Sequence, residues 1–242
     1  MSLRSLLGVA VVGSVFAVGC SSSGSSSTPA GNQGVTGPGN STGTVETNSY
    51  GKPYPTKNLG TEARSGSRPG NIMRNFKFQG YKTEMGQPVT AGGKLETISL
   101  ADYFDPDQKN GFKVLHITVS SYWCNPCNEE TKEMVSIAGD LKSKGVLFFQ
   151  ALADGPAVGT GATPTDLDNW VNKHKVNFPQ ALDPALKNFG GFFDAAAVPF
   201  NANLDLRSME ILSSGVGAPP DLTAEVEKWT AWVDKNPAQA TQ

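Results

Sequence analysis

Basic clusters, internal repeats, membrane-length apolar runs and a second cysteine pair are all missing from this 242-residue chain. Its 20 basic and 22 acidic side chains give a formal net charge of −2, and no block of Lys or Arg offers a track for phosphates. Nucleic acid is therefore not expected as a partner. The want of repeats excludes a solenoid or array. Three cysteines and two histidines are too few for a structural zinc site, because Cys124 and Cys127 would supply only half of one and His116 and His174 stand alone. No metal or cofactor is expected. The apolar segment from Leu6 to Val18 is too short to span a bilayer as a stable anchor.

What the N-terminus does carry reads as a secretory signal: Arg4, that apolar segment, then Ala17-Val18-Gly19-Cys20 followed by serines. The small residues before Cys20 resemble a bacterial lipobox, whose cysteine is acylated and becomes the new N-terminus, although Ala17 stands where Leu is commoner. An odd cysteine in an exported chain needs an explanation, and lipidation of Cys20 supplies one. An ordinary signal peptide with a leftover cysteine is the alternative. Residues 1–19 are read as the signal and 20–70 as a lipid-anchored linker, rich in Ser, Gly, Thr, Asn and Pro and expected to be disordered. Such a tether reaches roughly 40 Å, which holds a domain near a membrane while leaving it free to turn. Tyr50, Tyr54 and Leu59 are its residues with something to pack. Residues 71–237 suit one domain with a substantial core, and 238–242 form a tail.

That domain is organised around Ser121-Tyr122-Trp123-Cys124-Asn125-Pro126-Cys127, which follows the apolar run Val114 to Val119 and opens a helical pattern ending near Lys144. Two cysteines thus sit at a strand-to-helix corner. Pro126 suits the first helical turn, where its missing N–H costs nothing. Unpaired N–H groups and the helix dipole favour negative charge there, so they stabilise a thiolate on Cys124, the sulfur nearer the helix end. A thiolate is the attacking species in disulfide exchange, and Cys127 is placed to resolve the mixed disulfide. A structural disulfide or half a zinc site is the plainer reading of the same pair.

Trp123-Cys124-Asn125-Pro126-Cys127-Asn128-Glu129-Glu130 resembles the thioredoxin superfamily, and within it the TlpA/ResA-like branch of membrane-tethered thiol-disulfide oxidoreductases. The resemblance implies a thioredoxin-like α/β fold, a central mixed sheet flanked by helices, with an added N-terminal β-hairpin. Asn75 to Tyr81 and Leu95 to Leu100, both alternating in polarity, fit that hairpin. It also implies that Glu130, three after Cys127, tunes the pair and moves protons. A first-turn carboxylate also favours a helix N-terminus without any catalytic role. Two positions depart from the pattern. Thr118 stands six before Cys124, where thioredoxin has a buried Asp, and Lys132 replaces a helix-kinking Pro.

Farther on, Val146 to Leu152 reads as a strand covered on both faces, Thr165-Asp166-Leu167-Asp168 as a helix cap, and Leu222, Val226, Trp229 and Val233 as one helical face. His174 is expected to be solvated or capping, and His116 structural. Ala197-Val198-Pro199-Phe200 precedes a strand-like segment, Asn201 to Leu206. Pro199 can be a plain edge or loop proline. The resemblance implies instead a cis Val198–Pro199 bond facing the cysteines, so that Trp123, Val198 and Pro199 meet the substrate. It implies further that the protein works on the periplasmic face as a lipid-anchored, extracytoplasmic reductant of protein disulfides, supplied with electrons by a membrane thiol-disulfide partner. A peroxiredoxin-like thiol peroxidase is a rival, for which Ser121 suits the hydroxyl place before Cys124 but Ile117 stands where its proline belongs. A copper-binding redox module is another, since soft thiolates suit Cu(I).

Overall fold

The computed structural model describes residues 45–56, 69–193 and 197–237. Cys20, the expected signal and the tail 238–242 lie outside the described residues. Among them a seven-stranded mixed sheet forms the centre, in the order β2-β1-β5-β4-β3-β6-β7. The strands are β1 (Lys77–Tyr81), β2 (Glu96–Ser99), β3 (Val114–Ser121), β4 (Val146–Asp154), β5 (Gln180–Leu182), β6 (Phe200–Asp205) and β7 (Glu210–Val216). The helices are α1 (Asn125–Ser143), α2 (Pro164–His174) and α3 (Leu222–Lys235). This is the expected thioredoxin-like arrangement, and the β1–β2 pair is the added antiparallel hairpin.

β3 is buried at every position and sits between β4, which runs parallel to it, and β6, which runs antiparallel. One of its faces, with Leu115, Ile117 and Val119, joins an aromatic core containing Phe78, Phe149, Phe189 and Phe200. The other faces the helices, and α1, α2 and α3 all contribute apolar residues on that side. Among the described residues the opposite layer contains no α-helix. It is built from the segment around Ile72 to Phe78 and from 3-10 turns at Leu100–Tyr103 and Phe189–Gly191.

Helix α1 is uninterrupted, in keeping with Lys132 in place of proline, and Gly145 follows it at φ 87° where a left-handed turn is needed. Helix α2 begins two residues earlier than expected. Its cap is Thr163, in a reciprocal capping box with Asp166 and with Pro164 opening the helix. Part of the stretch read as a disordered linker also differs. Residues 45–56 pack on the domain: Tyr54 is buried edge-on against Phe104 at 5.7 Å and donates to the Met73 carbonyl at 2.8 Å. Asn48 donates to the Phe104 carbonyl at 2.8 Å.

Candidate active site

β3 delivers the chain to a tight corner, and Cys124 is the residue that caps α1. Its backbone is extended, its Sγ accepts from the Cys127 N–H at 3.2 Å, and Pro126 lies in the first turn. Cys124 and Cys127 are joined as a disulfide, with Cα atoms 5.3 Å apart. Once the bond is reduced, the same N–H and the helix end stabilise a thiolate on Cys124 rather than on Cys127. Cys127 is fully buried and Cys124 nearly so, which leaves Cys124 as the sulfur at the surface side of the pair.

Val198 and Pro199 come to this corner from far along the chain. Their peptide bond is cis, and the Val198 carbonyl oxygen lies 3.5 Å from Cys124 Sγ. In the disulfide this is a contact; a reduced Cys124 thiol would be within reach to donate to it. Trp123 is half-buried beside the pair, and its Nε1 donates to Asp154 Oδ2 at 3.2 Å. The geometry thus brings together Trp123, Cys124, Cys127, Val198 and Pro199.

Glu130 lies one turn below. It is 2% exposed, and its Oε2 accepts from Thr118 Oγ1 at 3.1 Å while Oε1 has no partner. Burial raises its pKa to about 7, against the opposing pull of the Thr118 hydrogen bond. A carboxyl group with such a value exchanges protons near neutral pH, as a general acid or base requires. Glu129, by contrast, is exposed and paired with Lys132 at 2.6 Å.

Several neighbours were not picked out by sequence reasoning. Asn128 Nδ2 donates to the Cys124 carbonyl at 2.6 Å, and its Oδ1 receives Lys173 Nζ at 2.6 Å. The same Oδ1 lies 3.0 Å from His174 Nε2. His174 is buried rather than solvated, and burial together with Lys173 lowers its pKa to about 4. Gln150 bridges Ser120 and Thr131 beneath the corner, at 2.9 and 2.8 Å. The available signal was the alternation of His116, Thr118 and Ser120 along a strand that is otherwise apolar.

A disulfide-forming pair capping a helix at the end of a central strand, faced by a cis-proline, is a redox site on a thioredoxin-like fold. The chain belongs to the AhpC/TSA family, whose pattern it matches over residues 69–199. No curated protein matches it. Among solved structures it is similar to a secreted thiol-disulfide isomerase from Corynebacterium glutamicum, with 14% identity, 68% of this chain and 86% of that one covered, and a TM-score of 0.51. A chain from Chlorobium tepidum assigned as the thiol:disulfide interchange protein DsbE is 16% identical, with 70% and 99% covered and a TM-score of 0.50. AhpC of Mycobacterium tuberculosis is 11% identical, with 70% and 94% covered and a TM-score of 0.50. At these identities the likeness concerns the fold alone.

Proposed function

We propose that this protein is a thiol-disulfide oxidoreductase that reduces protein disulfides, as TlpA/ResA-like proteins do. In this reading it is exported, held at the membrane by a lipidated Cys20, and recharged by a membrane thiol-disulfide partner. The carrying observation is the Cys124 sulfur at the α1 N-terminus, with the Cys127 N–H at 3.2 Å and the Val198 carbonyl at 3.5 Å. The first contact stabilises the attacking thiolate. The second supplies a backbone edge for an extended substrate chain. Cys124 attacks the substrate sulfur, Cys127 then displaces the substrate, and Glu130 takes up the Cys127 proton.

The test is reduction of insulin disulfides with dithiothreitol as electron source, beside a reduction potential expected near −270 mV. Cys124→Ser should abolish turnover, and Cys127→Ser should trap a mixed disulfide on Cys124. A potential near −120 mV would make the protein an oxidant instead. Membership in the AhpC/TSA family favours a second reading, a thiol peroxidase acting through Cys124. Hydrogen peroxide consumption faster than insulin reduction would select it.

A further inference from the structure

The first turn of α1 is gripped by more than its own helical hydrogen bonds. The Cys124 carbonyl accepts from the Asn128 N–H at 3.1 Å, as helix geometry requires, and also from Asn128 Nδ2 at 2.6 Å. The same Nδ2 lies 3.3 Å from the Tyr122 carbonyl, and Asn128 is 8% exposed. Two carbonyls on Nδ2 and the Lys173 ammonium on Oδ1 leave one orientation for this amide. Because Oδ1 can only accept, His174 Nε2, 3.0 Å away, is the donor, and burial together with Lys173 keeps that ring neutral. Both amide hydrogens and both lone pairs of Asn128 are thus used. Neither Asp, which has no hydrogen to donate, nor Leu, which has no polar atom, could do the same.

A parallel arrangement lies one turn on. The Cys127 carbonyl accepts from Thr131 Oγ1 at 2.7 Å, Thr131 Oγ1 from Gln150 Nε2 at 2.8 Å, and Gln150 Oε1 from Trp170 Nε1 at 2.9 Å. Each cysteine peptide is therefore tied to α2 through an α1 side chain. The tie to Cys124 ends in a charge. Lys173 is exposed, yet its ammonium is fixed, since besides Asn128 it lies 5.0 Å from the centre of the Tyr122 ring and 5.9 Å from that of Trp170. An ammonium held at the first turn of a helix adds to the positive potential that the helix end already presents.

We propose that Asn128 is a positioning residue for the attacking cysteine and that the Lys173 ammonium it holds favours the Cys124 thiolate, so that α2 sets the acidity and the potential of the pair. The inference deepens the exchange reading and rests on it. In the attacking step Cys124 gives its thiol proton to solvent, and the thiolate attacks one sulfur of the substrate disulfide. The bond from Cys124 to that sulfur forms as the substrate S–S bond breaks, its electron pair leaving on the other substrate sulfur. A cation beside the thiolate raises the fraction ready to attack at neutral pH. It also stabilises the reduced pair over the disulfide, which makes the pair more oxidising.

The other titratable groups of this corner are Glu129, Glu130, Lys132 and Glu133 of α1, His174 of α2 and Asp154 at the end of β4. Glu129 is paired with Lys132 at 2.6 Å, Glu130 is raised by burial to about 7, Glu133 accepts from the Leu222 N–H at 3.4 Å, and Asp154 accepts from Trp123. Any of these carboxyl groups, when ionised, disfavours a thiolate. Lys132 spends its charge on Glu129, whereas Lys173 is bound to an uncharged partner and keeps its full charge for the corner.

The test follows alkylation of the reduced full chain by iodoacetamide across pH, with the label on Cys124 read by mass spectrometry, beside the equilibrium of the pair with glutathione. Lys173→Met should lower the acid dissociation constant of Cys124 about threefold and move the glutathione equilibrium about threefold toward the Cys124–Cys127 disulfide. Both differences should shrink in about 1 M salt, and Lys173→Arg should restore both. Asn128→Asp, which sets a carboxylate against the Cys124 carbonyl, should act in the same direction and more strongly. A thermal melt checks that it folds; were it unfolded, the Lys173 variants, altered at an exposed side chain, carry the test. A Lys173→Met chain that titrates as the wild type, or a difference that salt leaves intact, would overturn the proposal, while insulin reduction by the wild type left the exchange reading standing. A wild type that reduces no insulin disulfide would overturn the exchange reading and the part given to this charge in it.

Discussion

On one face of β3, Leu115, Ile117 and Val119 meet a cluster of phenylalanines; on the other, His116, Thr118 and Ser120 lie among Glu130, Gln150, Asn201 and Asn203. Both faces are equally buried. The first gains free energy from every ring it hides, because apolar burial and edge-to-face contacts are favourable. The second must offset the desolvation of each polar atom with a hydrogen bond, and at Glu130, Asn201 and His116 it does so incompletely. Such a face adds less to stability than an apolar one would. One strand thus carries apolar packing on one side and, on the other, the buried carboxyl group to which the proposed exchange assigns proton transfer.

The largest blow to stability should come from the aromatic side. Phe149 is fully buried against Phe78 at 5.1 Å and Tyr103 at 6.0 Å between ring centroids. Phe149→Ala should cost about 3–5 kcal/mol in denaturant unfolding. The folded fraction should still exchange disulfides at the wild-type rate at low temperature. A large loss of rate in the folded fraction would mean that the two faces are not separable.

On the polar side the expected effect is a pH slope. Glu130 has a pKa of about 7 in the fold against an ordinary 4.5. Between those values the folded state keeps a proton that the unfolded chain has released, so stability falls as pH rises through that window. It is flat below the unfolded value and above the folded one. The total is about 3 kcal/mol, at 1.36 kcal/mol for each unit. His116 and His174, both lowered by burial, act in the opposite sense, losing stability as pH falls below about 6.5. The difference between the wild-type and Glu130→Gln melting profiles isolates the carboxylate. Parallel profiles would mean that Glu130 is ionised in the fold.

The cysteine corner was legible in the sequence because its signals are local: an apolar run, a cap, Pro126 in the first turn and Gly145 at the end. The hairpin and the Val198-Pro199 pair were reached by resemblance, and the structure brings both to the positions implied. The polar face was not legible, because it depends on pairing Thr118 with Asn201 and His116 with Asn203 across more than eighty residues of chain. Read alone, Asn201 and Asn203 are only polar positions in a strand-like segment, and Thr118 looks like the loss of an acid. The structure makes Thr118 the hydroxyl that steadies Glu130. Residues 45–56 were misread for a related reason, since their composition suits a linker and their packing partners, Met73 and Phe104, lie far along the chain.

The smallest effect tests the one hydroxyl reaching into the aromatic face from that segment. Tyr54 is 4% exposed, its ring lies against Phe104, and its OH donates to the Met73 carbonyl at 2.8 Å. Tyr54→Phe keeps the ring contact and leaves that carbonyl without this donor, so stability should fall by about 1–2 kcal/mol with an unchanged denaturant slope. Tyr50 is the internal control. It is 47% exposed and its OH pairs with Asn110 at the surface, so Tyr50→Phe should change stability by no more than about 0.5 kcal/mol. Equal, negligible effects at both tyrosines would return residues 45–56 to the linker. A loss at Tyr54 alone would mean that the aromatic face closes only when this segment is in place, so that the folded domain begins well before residue 71.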